Sequence, residues 1–509
     1  MASEDLLQDP NYLAALATGL LRQSDAKKLI PRRPSKVLDS LASLLIHRQA
    51  AQVISIGVAG PNADGHLVYY VASNEDLTHT SESVTHLSDI LNTLRKVRTI
   101  LQSVCIEASR GANAVDEVLF YSVEPGTTDI DADSAAKLAA KDELHALHLR
   151  VLTHSWHKIK RRLTKHSFNT LFTTFAQTIG AEDVEATLDG HAYEKELRKL
   201  LDAERALPEG CTLRRVSGII SHLTDIFAKG PEGKYLEGAC ALLTGLSGLS
   251  GYHKDNGEDS IFELAKVAGL NWNCARWIEK VTQVTTHFFT VANVPLSTKH
   301  AAFTGPFSVH PVACPPISYT YPVDTHSIRQ VIRRAATASG AADPDELTGD
   351  ESIQAFKNWI SRASDTITGT DIRPHCECAL LLALYAEPKV FGYIGTSKLT
   401  CEACHLYFKA YRSRTSNGLH TRGSHGLFTY IPRWVYPALP DATLDSAVRE
   451  ELCTLLLKKV YDAAWNVEVD RRERAESGEF EGGFHTAASL FAAFQRLRRA
   501  RDLTERSEG

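Results

Sequence analysis

The sequence lacks the features of a secreted or membrane-spanning protein. Its first residues, MASEDLLQDP, are acidic where a signal peptide is basic. The apolar run at 13–21 is too short and too mixed to cross a bilayer, and no later run approaches the ~18 uninterrupted apolar residues that a spanning helix needs. We therefore expect a protein of the cytoplasm or nucleus, without a membrane partner.

The sequence also lacks the short motifs of several common enzyme classes. It contains no G-x-S-x-G nucleophile elbow, no Walker loop, no H-E-x-x-H zinc helix and no glycine fingerprint of dinucleotide-binding folds. A strong charge of one sign is missing too, since the formal net charge is -5 over 509 residues. This balance argues against general binding of polyanions, although a local basic stretch remains compatible with it.

Apolar periodicity and turn residues divide the chain into four segments. In chain order they are residues 1–106 (helices and a β-hairpin), 107–365 (a mostly helical region), 366–440 (short helices and strands) and 441–509 (two closing helices, at 443–470 and 485–503). The hairpin at 52–73 is predicted from two β-rich runs that flank a Pro-Asn-Ala-Asp-Gly turn. Prolines predict a long loop at 295–321, and charge with glycine predicts a mobile linker at 471–483.

Ten cysteines are spread unevenly along the chain. Six of them stand alone, and we predict these to be buried small apolar side chains. The other four, Cys376, Cys378, Cys401 and Cys404, fall in one short window. Clustered cysteines in a reducing compartment indicate a metal site or catalysis rather than disulfide bonds.

The window between these cysteines predicts a helix, a strand and a second helix. Residues 379–385 are apolar all round and predict a buried helix, which Pro388 ends. Residues 390–394 have the β-branched and aromatic content of a strand. Thr400 is predicted to cap a helix that begins at Cys401.

This arrangement predicts a zinc site. Cys401 and Cys404 lie three residues apart on the first turn of the second helix, whose N-terminal dipole favours thiolates. With His375 they form a three-ligand set for zinc, which leaves the fourth tetrahedral position open for water, as catalytic sites require. Glu377 stands two residues after the histidine, so its carboxylate can move protons beside the metal without binding it.

Two simpler interpretations are open. The centre could be structural, with Cys376, Cys378 or His405 as a fourth zinc ligand. Glu377 could be an ordinary acid in the first turn of a helix, where the dipole favours it. A structural centre leaves both the carboxylate and the strand-like pattern unexplained, so we prefer the catalytic interpretation and expect Cys378 to be a buried helix residue.

Zinc deaminases of nucleobases carry H-x-E followed by P-C-x-x-C. The chain has H-C-E at 375–377 and T-C-E-A-C at 400–404, with threonine in place of the usual proline. The window resembles the nucleic-acid and nucleotide (cytidine) deaminase superfamily, and is most similar to the fungal type of the OTT-like deaminase family. The residues that carry this resemblance are His375, Glu377, Ile394-Gly-Thr-Ser-Lys398, Cys401 and Cys404, together with Arg422-Gly-Ser-His-Gly426 and Trp434.

The resemblance implies an α/β fold with a three-layer α/β/α, cytidine-deaminase-like core and one zinc ion. The hairpin at 52–73 and Asn74 are similar to the opening of such a core, in which an asparagine contacts the substrate. The helical region 107–365 would then be a large insertion ahead of the H-x-E helix. An unrelated hairpin is the alternative.

Other residues near the window are candidates for substrate binding. Ser397 and Lys398 lie between the strand and the second helix, where ordinary turn chemistry is the alternative. His425 belongs to a Ser-His-Gly loop, where it either touches substrate or is a loop histidine. Trp434 and Tyr393 either stack on a base or belong to the core.

Positive charge is concentrated in the same window. Six cations lie between residues 398 and 433, and Glu402 is the only acid there, so the local balance is +5. The six are Lys398, Lys409, Arg412, Arg414, Arg422 and Arg433. Such a stretch either steers phosphate or nucleic acid toward the site or forms a solvated basic face.

These features predict a zinc-dependent hydrolytic deaminase that acts on a nucleobase, in a nucleotide or in single-stranded nucleic acid. The reaction would add water at the ring carbon that bears the exocyclic amine and release ammonia. The alternative is a catalytically inactive deaminase-like module that serves interactions in a defence or signalling protein. The sequence identifies no protein partner.

Overall fold

The fold is α/β, with helices more abundant than strands, as predicted. The computed structural model describes residues 8–17, 33–47, 52–74, 77–102, 132–165, 168–170, 172–173, 212–255, 274–361, 366–416, 418–425 and 434–477. Among these residues no helix has the length and apolar character needed to cross a membrane. The predicted helix at 485–503 lies outside the described residues.

The main helices are, in chain order, α1 (Pro10–Leu16), α2 (Arg33–Leu44), α3 (Leu77–Gln102), α4 (Ala132–Thr164), α5 (Thr212–Lys229), α6 (Gly233–Asp255), α7 (Cys274–Ala292), α8 (Thr325–Ser339), α9 (Asp350–Ser361), α10 (Cys376–Tyr385), α11 (Glu402–Arg414) and α12 (Ala442–Ser477). The strands are β1 (Ile54–Ala59), β2 (Leu67–Ser73), β3 (Phe307–Val312), β4 (Ile317–Pro322), β5 (Thr366–Ile372) and β6 (Gly395–Thr396).

The described residues pack as two compact units. The motif unit comprises those within 1–31, 72–76 and 312–509, and the helical unit comprises those within 32–71 and 77–311. The boundary near residue 311 falls inside the segment 107–365 that the sequence pattern treats as one helical region. In the helical unit, α7 packs against α2, α4 and α6, and α3 packs against α4.

The predicted hairpin is present as β1 and β2, which are neighbours in the sheet order β3–β2–β1. Its connection is too short for the crossover that parallel strands require, so the two strands are antiparallel. The Asn62 carboxamide accepts hydrogen bonds from the backbone N–H groups of Asp64 and His66, at 3.1 and 2.9 Å. Gly65 has a φ of +77°, which a glycine adopts without steric cost. The hypothesis that this hairpin opens a deaminase core stays a prediction.

The prediction of a long loop at 295–321 is wrong. This stretch contains a 3₁₀ helix at Thr298–Thr304 and the strands β3 and most of β4. Its prolines do not prevent strands because β3, which contains Pro311, lies at the edge of its sheet, where a missing N–H donor is tolerated.

Strands β4 and β5 form an antiparallel pair that leads the chain into the H-x-E helix. In this pair Tyr319 lies opposite Gly369, and a Cβ atom on the glycine would come within 2.9 Å of the tyrosine ring. The Tyr319 hydroxyl donates to the Trp434 carbonyl at 3.2 Å. The close approach of ring and backbone therefore requires glycine at 369.

Helix α12 is one long helix that continues to Ser477, so the linker predicted to begin at 471 is wrong over its first residues. Arg471 and Arg472 both bind the carboxylate of Glu468, which is 3% exposed. These i,i+3 and i,i+4 ion pairs stabilise helix where charge density alone suggested a linker. In the motif unit, α12 packs against α1, α8, α9 and α11.

Candidate metal centre

His375 lies at the N-terminus of α10, as the sequence predicts. It is the N-cap residue, with an extended backbone (φ -63°, ψ 146°), and its side chain makes no capping hydrogen bond. Its carbonyl instead accepts the N–H groups of Cys378 and Ala379, at 2.9 and 3.0 Å. Seven of the ten residues of the helix that follows are buried, which anchors the backbone that carries the imidazole.

The second helix, α11, begins one residue later than predicted. Cys401, not Thr400, is the N-cap, and its Sγ accepts the N–H of Cys404 at 3.4 Å. The Thr400 hydroxyl donates instead to the carbonyl of Gly423 at 3.0 Å. A sulfur atom thus takes the capping role that the sequence assigned to a hydroxyl, because the threonine is bonded to a distant loop.

The three predicted ligands converge. Nδ1 of His375 lies 3.2 Å from Sγ of Cys404 and 3.4 Å from Sγ of Cys401, and the two sulfurs are 3.4 Å apart. Among the described residues, this is the group of His, Cys, Asp or Glu whose ligand atoms all lie within 4.8 Å of one another. The donor set therefore comprises one imidazole nitrogen and two sulfurs.

These residues fit a zinc ion. Tetrahedral zinc, with Zn–S of ~2.3 Å and Zn–N of ~2.0 Å, holds its ligand atoms roughly 3.5–3.8 Å apart. The distances in the centre are shorter than this by only a few tenths of an ångström. Both cysteines are free thiols in the structure. Nitrogen and sulfur donors at this spacing suit zinc rather than calcium or magnesium, which prefer oxygen ligands.

The surroundings of Cys401 favour a thiolate. Burial alone would raise the pKa of its thiol, but a hydrogen bond from Cys404 and the positive charge of His375 outweigh burial and hold the pKa well below its ordinary value. The pKa of the Cys404 thiol is raised, first by burial and then by its sulfur neighbours. The surroundings therefore favour the thiolate at Cys401 and the thiol at Cys404, and a bound metal cation would stabilise the thiolate form of both.

Glu377 lies in the first turn of α10 and is 4% exposed. Burial raises the pKa of its carboxyl above the ordinary value, the charge of His375 opposes the rise, and the charge of Cys401 adds to it. The neighbouring Cys404 thiol also opposes the rise in the pKa of Glu377. The carboxyl is thus beside the ligand group and outside it, which is the placement that a proton shuttle needs.

The strand predicted at 390–394 is displaced. The strand in this region is β6, at Gly395–Thr396, and Tyr393 makes an isolated parallel bridge with His420. A second parallel bridge joins Thr400 and Ser424. The segment before α11 and the loop at 418–425 therefore run side by side. Glycines and polar residues interrupt regular pairing in both segments, which is why composition alone misplaced the strand.

The structure places the predicted substrate residues in different settings. The backbone N–H of His425 donates to the Thr400 carbonyl at 3.1 Å, so this half-buried histidine stands next to the turn that carries Cys401 and Cys404. Ser397 is buried and Lys398 is exposed just before that turn. Trp434 is 4% exposed, and its indole N–H has no hydrogen-bond partner among the described residues. Asn74 is exposed directly after β2, within the motif unit.

Part of the basic stretch is used within the protein. Arg412 donates to the Leu419 carbonyl at 3.2 Å, and Arg414 pairs with Glu451 at 3.0 Å. Lys398 and Lys409 are exposed, and Arg433 lies outside the described residues. The positive charge available to a ligand is therefore smaller than the sequence count indicates.

Two contacts that support the centre were not predicted. The Ser424 hydroxyl donates to the Glu402 carboxylate at 2.9 Å, which ties the 418–425 loop to the first turn of α11. Arg373 donates to the carbonyl of Cys314 at 2.9 Å and fixes the chain just before His375. Both contacts join residues distant in sequence, and no local pattern marks them.

Comparison with known proteins agrees with this geometry. The family model of OTT-like deaminases matches residues 374–438. The match spans all three ligand residues, the buried carboxylate and Trp434, in a small part of the 509-residue chain. No curated protein and no solved structure matches the chain.

Proposed function

We propose that this chain, whose segment 374–438 matches the family model of OTT-like deaminases, is a zinc-dependent hydrolytic deaminase of nucleobases. One observation carries the proposal: an imidazole and two sulfurs converge within 4.8 Å, and the buried carboxyl of Glu377 lies beside them. A purely structural centre has no need of that carboxyl.

His375, Cys401 and Cys404 would hold the zinc. The bound ion would supply Lewis acidity and lower the pKa of water at its open position from roughly 16 toward ~7. Glu377 would accept a proton from the attacking water at one carboxylate oxygen and deliver it to the departing amine. Burial suits the carboxyl for both steps because it raises the pKa toward the range in which the group both takes up and releases protons.

A nucleobase is the proposed substrate, in a nucleotide or in single-stranded nucleic acid. Support comes from the exposed cations Lys398 and Lys409, which suit phosphate, and from His425 and Ser397, which flank the metal-binding turn. Asn74 and Trp434 are proposed as further substrate contacts. The reaction belongs in a reducing compartment, the cytoplasm or nucleus, because it depends on free thiols.

The test compares the wild-type protein with Glu377→Gln, which keeps the size and polarity of the side chain. Both proteins are loaded with zinc, their zinc content is measured, and ammonia release is assayed from nucleosides, nucleotides, and single-stranded DNA and RNA. We expect the variant to retain zinc and to lose about 10²–10⁴-fold in rate, the contribution typical of a positioned acid–base group. Glu387→Gln, just after the end of the same helix, is the matched control and should keep its activity.

Equal rates in wild type and Glu377→Gln would remove the carboxyl from the mechanism. No ammonia release from any of these substrates, with zinc bound, would contradict the enzyme and favour a deaminase-like interaction module.

A further inference from the structure

Cys378 lies directly against one of the proposed metal ligands. It stands three residues after His375, in the first turn of α10, and its side chain is fully buried. Its Sγ donates a hydrogen bond to Sγ of Cys404 at 3.5 Å. The contact joins the two helices that carry the ligand set, at the level of the metal centre.

Cys378 is not placed as a ligand. Its sulfur is outside the group of atoms that lie within 4.8 Å of one another, although it is close to Cys404. A fourth coordinating sulfur would need to approach His375 and Cys401 as closely as it approaches Cys404. The position of Cys378 therefore suits a hydrogen bond to Cys404 and not coordination of the ion.

Each of the two ligand sulfurs accepts a hydrogen bond from outside the ligand set or from the backbone. Sγ of Cys401 accepts the backbone N–H of Cys404, at 3.4 Å. Sγ of Cys404 accepts the S–H of Cys378, at 3.5 Å. With zinc bound, both ligand sulfurs are thiolates and can only accept hydrogen bonds, so the thiol of Cys378 remains the donor to the second one.

We propose that Cys378 is a positioning residue of the metal centre, whose thiol donates a hydrogen bond to the Cys404 thiolate and so sets the orientation and donor strength of that ligand. This inference rests on the proposed metal site. Partners of this kind orient metal ligands and typically change metal affinity by 10–100-fold when they are removed. A hydrogen bond also stabilises the electron pairs of a thiolate sulfur and so shifts the charge-transfer absorption, while the loss of ligand orientation dominates the change in affinity.

The test uses Co²⁺ as an optical probe in the full chain, with wild type, Cys378→Ala and Cys378→Ser. In Cys378→Ala we expect the dissociation constant for Co²⁺ to rise by about 10-fold and the sulfur-to-cobalt absorption band to move to longer wavelength. Cys378→Ser retains a hydroxyl donor, so its band and affinity should return toward those of wild type. Cys453→Ala, which removes a buried cysteine from α12 of the same unit, is the matched control and should match wild type.

Three results would overturn the proposal. Wild-type affinity and spectrum in Cys378→Ala would show that the contact has no influence on the ligand. Loss of about a third of the sulfur-to-cobalt intensity would identify Cys378 as a third sulfur ligand instead of a donor. Failure of the wild-type chain to bind Co²⁺ or zinc would remove the proposed metal site itself, and this inference with it.

Discussion

Two largely buried clusters that contain histidine, one in each unit, show how differently the same residue type is used. In the motif unit, His375, Cys401 and Cys404 point their ligand atoms at one another, within 4.8 Å. In the helical unit, the rings of His86 and His154 stack face to face, with centroids 3.8 Å apart. The first geometry leaves a common point for an ion, whereas the second fills its space with the rings themselves.

The pKa shifts favour neutral side chains in the histidine cluster and a charged side chain at Cys401. Burial, and then the positive charges of its neighbours, lower the pKa of His86 to about 3. Burial likewise lowers the pKa of His154 to about 4. These low pKa values favour neutral rings, while hydrogen bonds and the charge of His375 lower the pKa of Cys401 and favour its charged form. Convergence of donor atoms, rather than burial of histidine or cysteine, distinguishes the candidate metal centre.

The largest expected effect is the loss of zinc affinity on removal of a proposed ligand. We expect Cys404→Ala to lower zinc affinity by more than about 100-fold, since partners outside the ligand set already contribute 10–100-fold. Zinc content after dialysis against a weak chelator, measured by atomic emission, provides the check. Cys453→Ala is the control and should keep its zinc. If Cys404→Ala retains one zinc per chain, the converging cluster does not bind zinc through Cys404, and the proposed difference between the two clusters is wrong.

Acid should destabilise the histidine cluster. The pKa values of His86 and His154 in the folded protein lie below the ordinary 6.5. Between pH 6.5 and about 4 the unfolded chain therefore binds more protons, and the free energy of unfolding falls as the pH falls through that window. Each unit of pKa difference corresponds to about 1.4 kcal/mol per group. Thermal unfolding followed by circular dichroism from pH 7.5 downward should show this loss.

A substitution that removes the titrating group of His86 tests whether this cluster causes the acid sensitivity. His86→Phe keeps an aromatic ring for His154 to stack on and should make the melting temperature less dependent on pH below 6.5. An identical pH profile in wild type and variant would assign the acid sensitivity to other groups.

The smallest effect is expected at the loop that supports the metal centre. Ser424→Ala removes the hydrogen bond to the Glu402 carboxylate and should lower the free energy of unfolding by about 1 kcal/mol. It should also weaken zinc binding only slightly, because no ligand is touched. Denaturant titration measures the change, with Ser413→Ala, whose hydroxyl bonds within its own helix, as control. A loss of zinc affinity as large as that expected for Cys404→Ala would indicate that the loop contributes a ligand.

The convergence of His375, Cys401 and Cys404 could be predicted because the spacing within each helix turn is local. His375 and Glu377 share the first turn of one helix, and Cys401 and Cys404 share the first turn of another. Helical geometry then fixes which side chains lie together within each turn. Only the meeting of the two turns required the resemblance to a family, and the distances in the structure agree with it.

Other parts of the fold depend on partners that are distant in sequence. Strand β5 contains Gly369 and Asp371, the latter with a φ of +54°, and it is a strand because β4 pairs with it. Thr400 looked like a helix cap, but its bond to Gly423 leaves that role to Cys401. Helix α6 contains several glycines, which are poor helix formers, and it packs against α5 and α7.

Measuring the coordination of zinc in the wild-type protein tests most directly whether His375, Cys401 and Cys404 hold the ion. X-ray absorption at the zinc edge, combined with metal analysis, counts the sulfur atoms bound to the ion. We predict one zinc per chain with two sulfur neighbours at ~2.3 Å and lighter nitrogen or oxygen atoms completing the shell. Three or four sulfur neighbours, or a chain that binds no zinc, would contradict the account.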